Sequence, residues 1–359
     1  MKKIVSILGA RPQFVKAAVL SRIIADKEEF SEVIIHTGQH FDANMSEVFF
    51  TEMEIPKPKY NFDINGVGHG AMTGRMLEKI EEVLLIEKPL LVVVYGDTNS
   101  TLAGALAAKK LGIRVAHIEA GLRSFNMAMP EEVNRILTDR ISDLMLCPTK
   151  TAVSNLKAEG FDNFNSKIEL SGDIMHDAVE FYGKLSETRS AIVEKLGLDE
   201  KRFVMATIHR QENTDDRQRL KAIIEGLNNI SDVAQVVMPL HPRTKGLLKK
   251  YALNFTGLLI DPVGYFDMLQ LLKHCNLVVT DSGGLQKEAY FNEKPCLIVR
   301  EETEWVELVT EGYASIVGSD AEKMLQESKR YLAENVDFKS GLYGSDVGLS
   351  IYESIKKLM

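Results

Sequence analysis

LVVTDSGGLQKEAYFNEKPCLIVR, residues 277–300, reads as one structural unit. The run LVVT is almost wholly apolar and rich in β-branched residues, which suits a strand covered on both faces by helices. The turn Ser282, Gly283, Gly284 then opens a helical stretch, and PCLIVR returns as a second apolar run. Strand, helix and strand in that order make a parallel pair joined by a crossover. The same alternation extends outward in both directions. KIVSILG, EVIIHTG, LLVVVYGD, RVAHIEA and LMLCPT form a first set, and RFVMATIH, QVVMPL, LLIDP, LVVTDSGG, PCLIVR and ASIVG a second. The expected fold class is therefore α/β, with two doubly wound, Rossmann-like parallel sheets. Between the sets, a strand in SKIELSGD ends at Gly172 and an acidic, polar helical region follows. This predicts a first domain over residues 1–172 and a second over 173–342. Two such sheets facing each other would enclose a cleft at the carboxyl ends of their strands.

Length and composition agree with two domains: 359 residues with 45% hydrophobic content exceed one ordinary core. A formal charge of −8 and a pI near 5.6 argue against a nucleic-acid partner. Cys147, Cys275 and Cys296 are odd in number, far apart and set in apolar segments, so buried reduced thiols in a cytoplasmic protein are expected. MKKIVSILGARPQ reads as a first strand rather than a signal peptide, because Arg11 and Pro12 stop its short apolar run. No stretch approaches the roughly 18 to 20 apolar residues of a membrane span. Neither H-E-x-x-H nor C-x-x-C occurs, so no metal site is expected. G-x-G-x-x-G and G-x-x-x-x-G-K-[ST] are missing too, and no redox cofactor is expected.

The chemistry-bearing residues gather where strands end. Gly283 and Gly284 allow close approach to a helix start whose free N–H groups attract an anion, although paired glycines can also merely turn the chain. Glu288, one turn on, can accept from sugar hydroxyls or stand as an ordinary exposed helix residue. Arg11 follows the first strand, with Pro12 suited to a first helical turn; its guanidinium can grip a phosphate or pair with a nearby carboxylate. Asp97 ends LLVVVYGD and Glu119 ends RVAHIEA. Asp97 also fits a helix cap, and Glu131 and Glu132 after Pro130 also fit a helix dipole. Glu119, between Ile118 and Ala120, needs a partner or a raised pKa, which is how general bases are made. His209 and His241 leave two strands of the second half at equivalent places.

GARPQFVK, GQHFDANM, YGDTNST, HIEAGLRSFN, MPEEVNR, TIHRQEN and TDSGGLQKEA, in that order, resemble the non-hydrolysing UDP-N-acetylglucosamine 2-epimerases. The likeness runs from near the first strand to the last helix. It implies a GT-B-like fold with a cleft between the domains, and a final helix, residues 343–359, crossing back to the first domain. It further implies that Ser282, Gly283 and Gly284 hold a diphosphate and Glu288 the ribose, with Arg11 approaching the phosphates and His209 acting as a catalytic group beside the same leaving group; His241, at the equivalent strand end, is expected at the UDP site as well. Asp97, Glu119 and Glu131 become the acid and base groups at the sugar. The implied reaction eliminates UDP to a 2-acetamidoglucal and adds it back with a proton on the opposite face of C2, without a cofactor, in a homodimer.

Two stretches depart from the common pattern of that family. Where it has Thr-Glu-Arg-Pro-Glu, this chain reads REETEWVEL, with Trp305 and Val306 in place of the Arg and Pro. The loop AGLRSFNMAMP is short. Both features resemble the branch acting on UDP-2,3-diacetamido-2,3-dideoxyglucuronate. GQHFDANM keeps Gln39, His40 and Met45 but differs from the stretch that binds an activating second UDP-sugar in many bacterial members, which argues against such activation. A GT-B glycosyltransferase, a hydrolysing epimerase and a non-catalytic UDP-sugar sensor stand as the competing readings.

Overall fold

The computed structural model describes residues 1–39, 50–51, 54, 56–240, 242–339 and 341–359. Its contacts divide the chain into two units, Met1–Ala178 with Gly341–Met359, and Val179–Ser340.

Unit one carries strands β1 (Lys2–Leu8), β2 (Phe30–His36), β3 (Tyr60–Asn61), β4 (Leu91–Tyr95), β5 (Arg114–Ile118), β6 (Leu144–Cys147) and β7 (Lys167–Leu170). They form a single parallel sheet in the order β3-β2-β1-β4-β5-β6-β7. Unit two carries β8 (Phe203–Thr207), β9 (Gln235–Pro239), β10 (Leu258–Ile260), β11 (Leu277–Thr280), β12 (Cys296–Ile298) and β13 (Ala314–Ile316). These too are all parallel, in the order β10-β9-β8-β11-β12-β13. The two doubly wound sheets expected from the apolar runs are both present, each with its order reversing between its first and fourth strands.

The cores explain why the runs are so continuously apolar. In unit one, Val5, Ile7, Val92 and Val94 pack against Met76, Ile80 and Leu84 of the helix His69–Glu87 and the alanines of the helix Asn99–Lys110. In unit two, Val204, Val236, Val279 and Leu297 meet Leu220, Ile223, Ile224 and Leu227 of the helix Arg217–Ser231. The three cysteines are buried and free, and burial pushes the Cys275 thiol up to about 12. No helix among the described residues is long and apolar enough to cross a membrane.

The helix Val347–Leu358 belongs to unit one, where a Cβ on Gly348 would lie 2.7 Å from Val19 and 2.8 Å from Ile23. Asp346 precedes it with φ of 51° and gives no side-chain cap. Asp177 supplies one instead, accepting from the N–H groups of Val347 at 3.1 Å and Gly348 at 2.7 Å.

At the amino edge of the first sheet, Glu87 is 5% exposed and accepts from Lys3, Lys59 and Tyr60 at 2.7, 2.6 and 2.6 Å. Those three hydrogen bonds hold its carboxyl down to about 2, against an ordinary 4.5. A depressed carboxyl stabilises the fold above its unfolded pKa and loses that contribution as pH falls through the folded one. Urea midpoints should therefore decline between pH 4.5 and about 2 in the wild type, and decline less in Glu87→Gln. An equal decline in both proteins would mean that Glu87 contributes nothing to acid sensitivity.

Candidate functional site

In an open α/β sheet the ligand crevice opens where the strand order reverses. In unit one that place is between β1 and β4, and the turns leaving these strands are tied by Gln13. Its Oε1 accepts from the N–H groups of Gly9 and Ala10 at 2.7 and 3.0 Å, while its Nε2 donates to the Tyr95 carbonyl at 2.6 Å. The same Nε2 reaches Thr98 and Thr101, both at 2.9 Å. Arg11 opens the helix Arg11–Lys27 directly after this turn, with Pro12 in its first turn.

Asp97 lies in the turn after β4. The cap of the following helix is Thr98, whose hydroxyl accepts from Thr101 N–H, so Asp97 is released from the capping role that its position also fits. Its Oδ2 instead accepts from Arg135 at 2.5 Å, and Arg135 donates to Glu132 at 2.5 Å as well. Arg135 is 4% exposed and Glu132 fully buried. Burial pushes the Glu132 carboxyl up, but the Ser124 N–H and the Arg135 guanidinium outweigh it and hold it below its ordinary value. The adjacent acids in PEEVNR thus differ in role: Glu132 organises the loop through Ser124 and Phe125, whereas Glu131 is half-buried in the first turn of the helix Pro130–Ile141.

Glu119, the residue after β5, has φ of 71°, a left-handed conformation unusual for a side chain of its size. Its backbone is pinned there, since both Glu119 and Ala120 donate to the Leu146 carbonyl at 3.1 Å. The carboxylate Oε2 is paired with the ammonium of Lys16, which is 5% exposed. A Cβ on Gly96 would lie 3.1 Å from that Oε2 and 3.8 Å from Lys16 Nζ, and the backbone there is left-handed with φ of 61°, so glycine lets the carboxylate lie against the β4 turn without crowding or strain. Asp97 and Glu119 are therefore carried by turns in direct contact.

In unit two the order reverses between β8 and β11, and the turns after those strands meet around Asp281. This buried carboxylate accepts from the N–H groups of His209 and Arg210 at 3.0 and 2.9 Å and from Asn213 Nδ2 at 3.1 Å. His209 Nδ1 is 3.4 Å from Asp281 Oδ1, and the His209 side chain is 41% exposed. Ser282 caps the helix Gly283–Phe291, its hydroxyl accepting from Leu285 N–H at 3.4 Å. The N–H groups of Gly283 and Gly284 have no acceptor among the described residues and are free for an anion. A Cβ on Gly283 would lie 3.6 Å from Glu304 Oε2 and from Trp305 Nε1, and 4.0 Å from an Arg210 guanidinium nitrogen. Trp305 is buried, and the buried Lys287 places its ammonium 3.9 Å above the indole ring. Glu288 lies half-buried on the same helix.

The geometry thus groups Asp97 and Glu119 with the Arg135 and Lys16 cations in unit one, and His209 with the Ser282, Gly283, Gly284 turn in unit two. His241, and His40 and Met45 of GQHFDANM, lie outside the described residues. Gln39 of that segment accepts from Ser100 N–H and hydroxyl at 3.1 and 2.9 Å. No group of three or more His, Cys, Asp or Glu among the described residues is arranged to hold a metal ion. Lys16, Arg135 and Asp281 were given no role by sequence reasoning. The only signal for each is its place inside GARPQFVK, MPEEVNR or TDSGGLQKEA, and of the three only Asp281 adjoins a residue singled out there, Ser282.

The model of the UDP-N-acetylglucosamine 2-epimerase family matches residues 22–347. The chain is 52% identical to UDP-2,3-diacetamido-2,3-dideoxy-D-glucuronate 2-epimerase of Pseudomonas aeruginosa, covering 99% of this chain and 100% of that one. It is 44% identical to a UDP-N-acetylglucosamine 2-epimerase of Methanococcus maripaludis over 93% of each. The crystal structure of the Methanocaldococcus jannaschii UDP-GlcNAc 2-epimerase in complex with UDP-GlcNAc and UDP is similar with a TM-score of 0.90 and 40% identity, over 99% of this chain and 100% of that one.

Proposed function

Because the chain belongs to the UDP-N-acetylglucosamine 2-epimerase family, we propose that it inverts C2 of a UDP-2-acetamido sugar without hydrolysing it, interconverting UDP-GlcNAc and UDP-ManNAc. The observation that carries this reading is the Glu119 carboxylate, set on a left-handed backbone, paired with Lys16 and lying against Gly96 of the turn that carries Asp97. Direct loss of a proton from C2 of an acetamido sugar is hard, and elimination avoids a free carbanion. A carboxylate takes the C2 proton, the C1–oxygen bond breaks, its electron pair leaves with UDP, and C1=C2 forms. In the return step the UDP oxygen attacks C1, and a carboxyl group protonates C2 from the opposite face.

Glu119, Asp97 and Glu131 take the proton-handling roles in this reading, with Lys16 fixing Glu119 and Arg135 fixing Asp97. Ser282, Gly283 and Gly284 hold the diphosphate, assisted by Arg11, His209 and His241, and Glu288 holds the ribose. Departure of UDP needs positive groups on its phosphates, which free N–H groups and cations supply. No cofactor enters the scheme. The same reading carries a homodimer in the cytoplasm, for which sedimentation of the purified protein and fractionation of cells are the tests.

A second reading keeps the chemistry and changes the sugar to UDP-2,3-diacetamido-2,3-dideoxyglucuronate. It is favoured by the 52% identity to the Pseudomonas aeruginosa enzyme of that name, against 44% to the Methanococcus maripaludis enzyme, and by Trp305 beside the Gly283 turn. Each sugar offered separately in deuterated water decides. Deuterium at C2 of UDP-GlcNAc with no net loss of UDP-sugar is the expected result. Incorporation with the uronate alone selects the second reading, free UDP with a free mannosamine means hydrolysis, and no incorporation with either ends the proposal.

A further inference from the structure

His117 is 0% exposed on β5, two residues before Glu119, and the chemistry above leaves it without a task. Its Nδ1 is 2.7 Å from Asp139 Oδ1, and its Nε2 is 2.6 Å from the carbonyl oxygen of Gly96. A carboxylate and a carbonyl can only accept, so both ring nitrogens must donate. We infer that His117 is a buried imidazolium and a positioning residue, which locks the Gly96–Asp97 turn to the Glu119 turn by donating to the Gly96 carbonyl and to Asp139 together.

The surroundings balance the charge. Asp139 also accepts from Arg123 at 2.7 Å, and Arg123 makes a bidentate pair with Glu159 at 2.6 and 2.8 Å. Two cations, His117 and Arg123, thus meet two anions, Asp139 and Glu159, and no charge is left uncompensated. Burial alone would push the Asp139 carboxyl up; the facing His117 and Arg123 more than offset it and hold it below its ordinary value. Asp139 Oδ2 further accepts from Gly121 N–H at 3.1 Å, just beyond the left-handed Glu119. One carboxylate therefore reaches the two turns that carry the proton-handling groups, directly at Gly121 and through His117 at Gly96. Gly96 is fixed from its other side too, since its N–H donates to the Ile118 carbonyl at 2.9 Å.

The inference rests on the reading that Asp97 and Glu119 act at the sugar, and the tests separate the two. In wild-type protein labelled with nitrogen-15 histidine, under the conditions of the kinetic assay, both His117 ring nitrogens should carry protons; a bare ring nitrogen would overturn the inference whatever the enzyme's substrate. In kinetics, His117→Asn keeps a donor for Asp139 and abandons Gly96, whereas His117→Gln reaches Gly96 and abandons Asp139. Misplacement of a reacting group by about 1 Å can cost about 100-fold, so His117→Asn should lower kcat by about that factor with KM changed less than about threefold. His117→Gln should recover at least about tenfold of that loss. Equal kcat in the two variants, high or low, would show that the ring merely fills the core. Should neither fold, Asp139→Asn provides the same comparison: a fall in kcat with KM unchanged supports the lock, and unchanged kcat refutes it.

Discussion

Exchange of the C2 hydrogen with solvent should fall at least about 100-fold in Glu119→Gln, since proton transfer by a positioned side chain typically contributes 10²–10⁴. Glutamine preserves the length of the side chain and offers Lys16 an oxygen to donate to, but it cannot take a proton. The φ of 71° at this position is set by backbone bonds to Leu146 rather than by the carboxylate, so the turn should survive. Affinity for UDP should stay near the wild-type value, because the free N–H groups proposed for the diphosphate belong to Gly283 and Gly284 of the other unit. Isothermal titration with UDP and deuterium incorporation measured on the same preparation give both numbers. Normal exchange would move the C2 proton to another group, and weak UDP binding would make Glu119 a structural residue.

The strands were legible because a strand buried on both faces must be apolar along its whole length, and that leaves a run in the sequence. Every run singled out in the two sets became a strand. Tyr60–Asn61 did not show itself, since two residues at a sheet edge, half-buried and exposed, carry no periodic signal. The turns were legible through Asp97, Glu119, Ser282 and His209 at strand ends. What the residues do with one another was less so. Lys16 meets Glu119 across 103 positions, Arg135 meets Asp97 across 38, and His209 meets Asp281 across 72. Such pairings follow from strand order, which a linear pattern specifies only once the crossovers are known. Glu119 illustrates the limit: its sequence neighbours announce a buried carboxylate in need of a partner, but neither the left-handed backbone nor the identity of that partner can be read from them. Glu131 and Glu132 are equivalent by composition and position, and only the helix geometry separates the one that braces the loop from the one left half-buried.

Gly284→Leu should lower UDP affinity about 100-fold, equivalent to about 2.7 kcal/mol, without loss of thermal stability. Gly284 is exposed, and a Cβ there would meet nothing nearer than Ser282 Oγ at 3.9 Å. Its φ is not in the left-handed region, so leucine is compatible with the helix and a better helix former than glycine. The folded chain therefore gives no reason of its own for glycine at this place. A ligand does: an anion that approaches the N–H groups of Gly283 and Gly284 must come over the surface that a leucine side chain would occupy. The melting temperature should stay level or rise slightly while the UDP titration weakens. The contrast with Gly96 sharpens the test. There a Cβ would press on the Glu119 carboxylate at 3.1 Å from a left-handed backbone, so Gly96→Ala should cost stability and activity together. If Gly284→Leu also melts early, the glycine serves the fold; if it binds UDP normally, the diphosphate lies elsewhere.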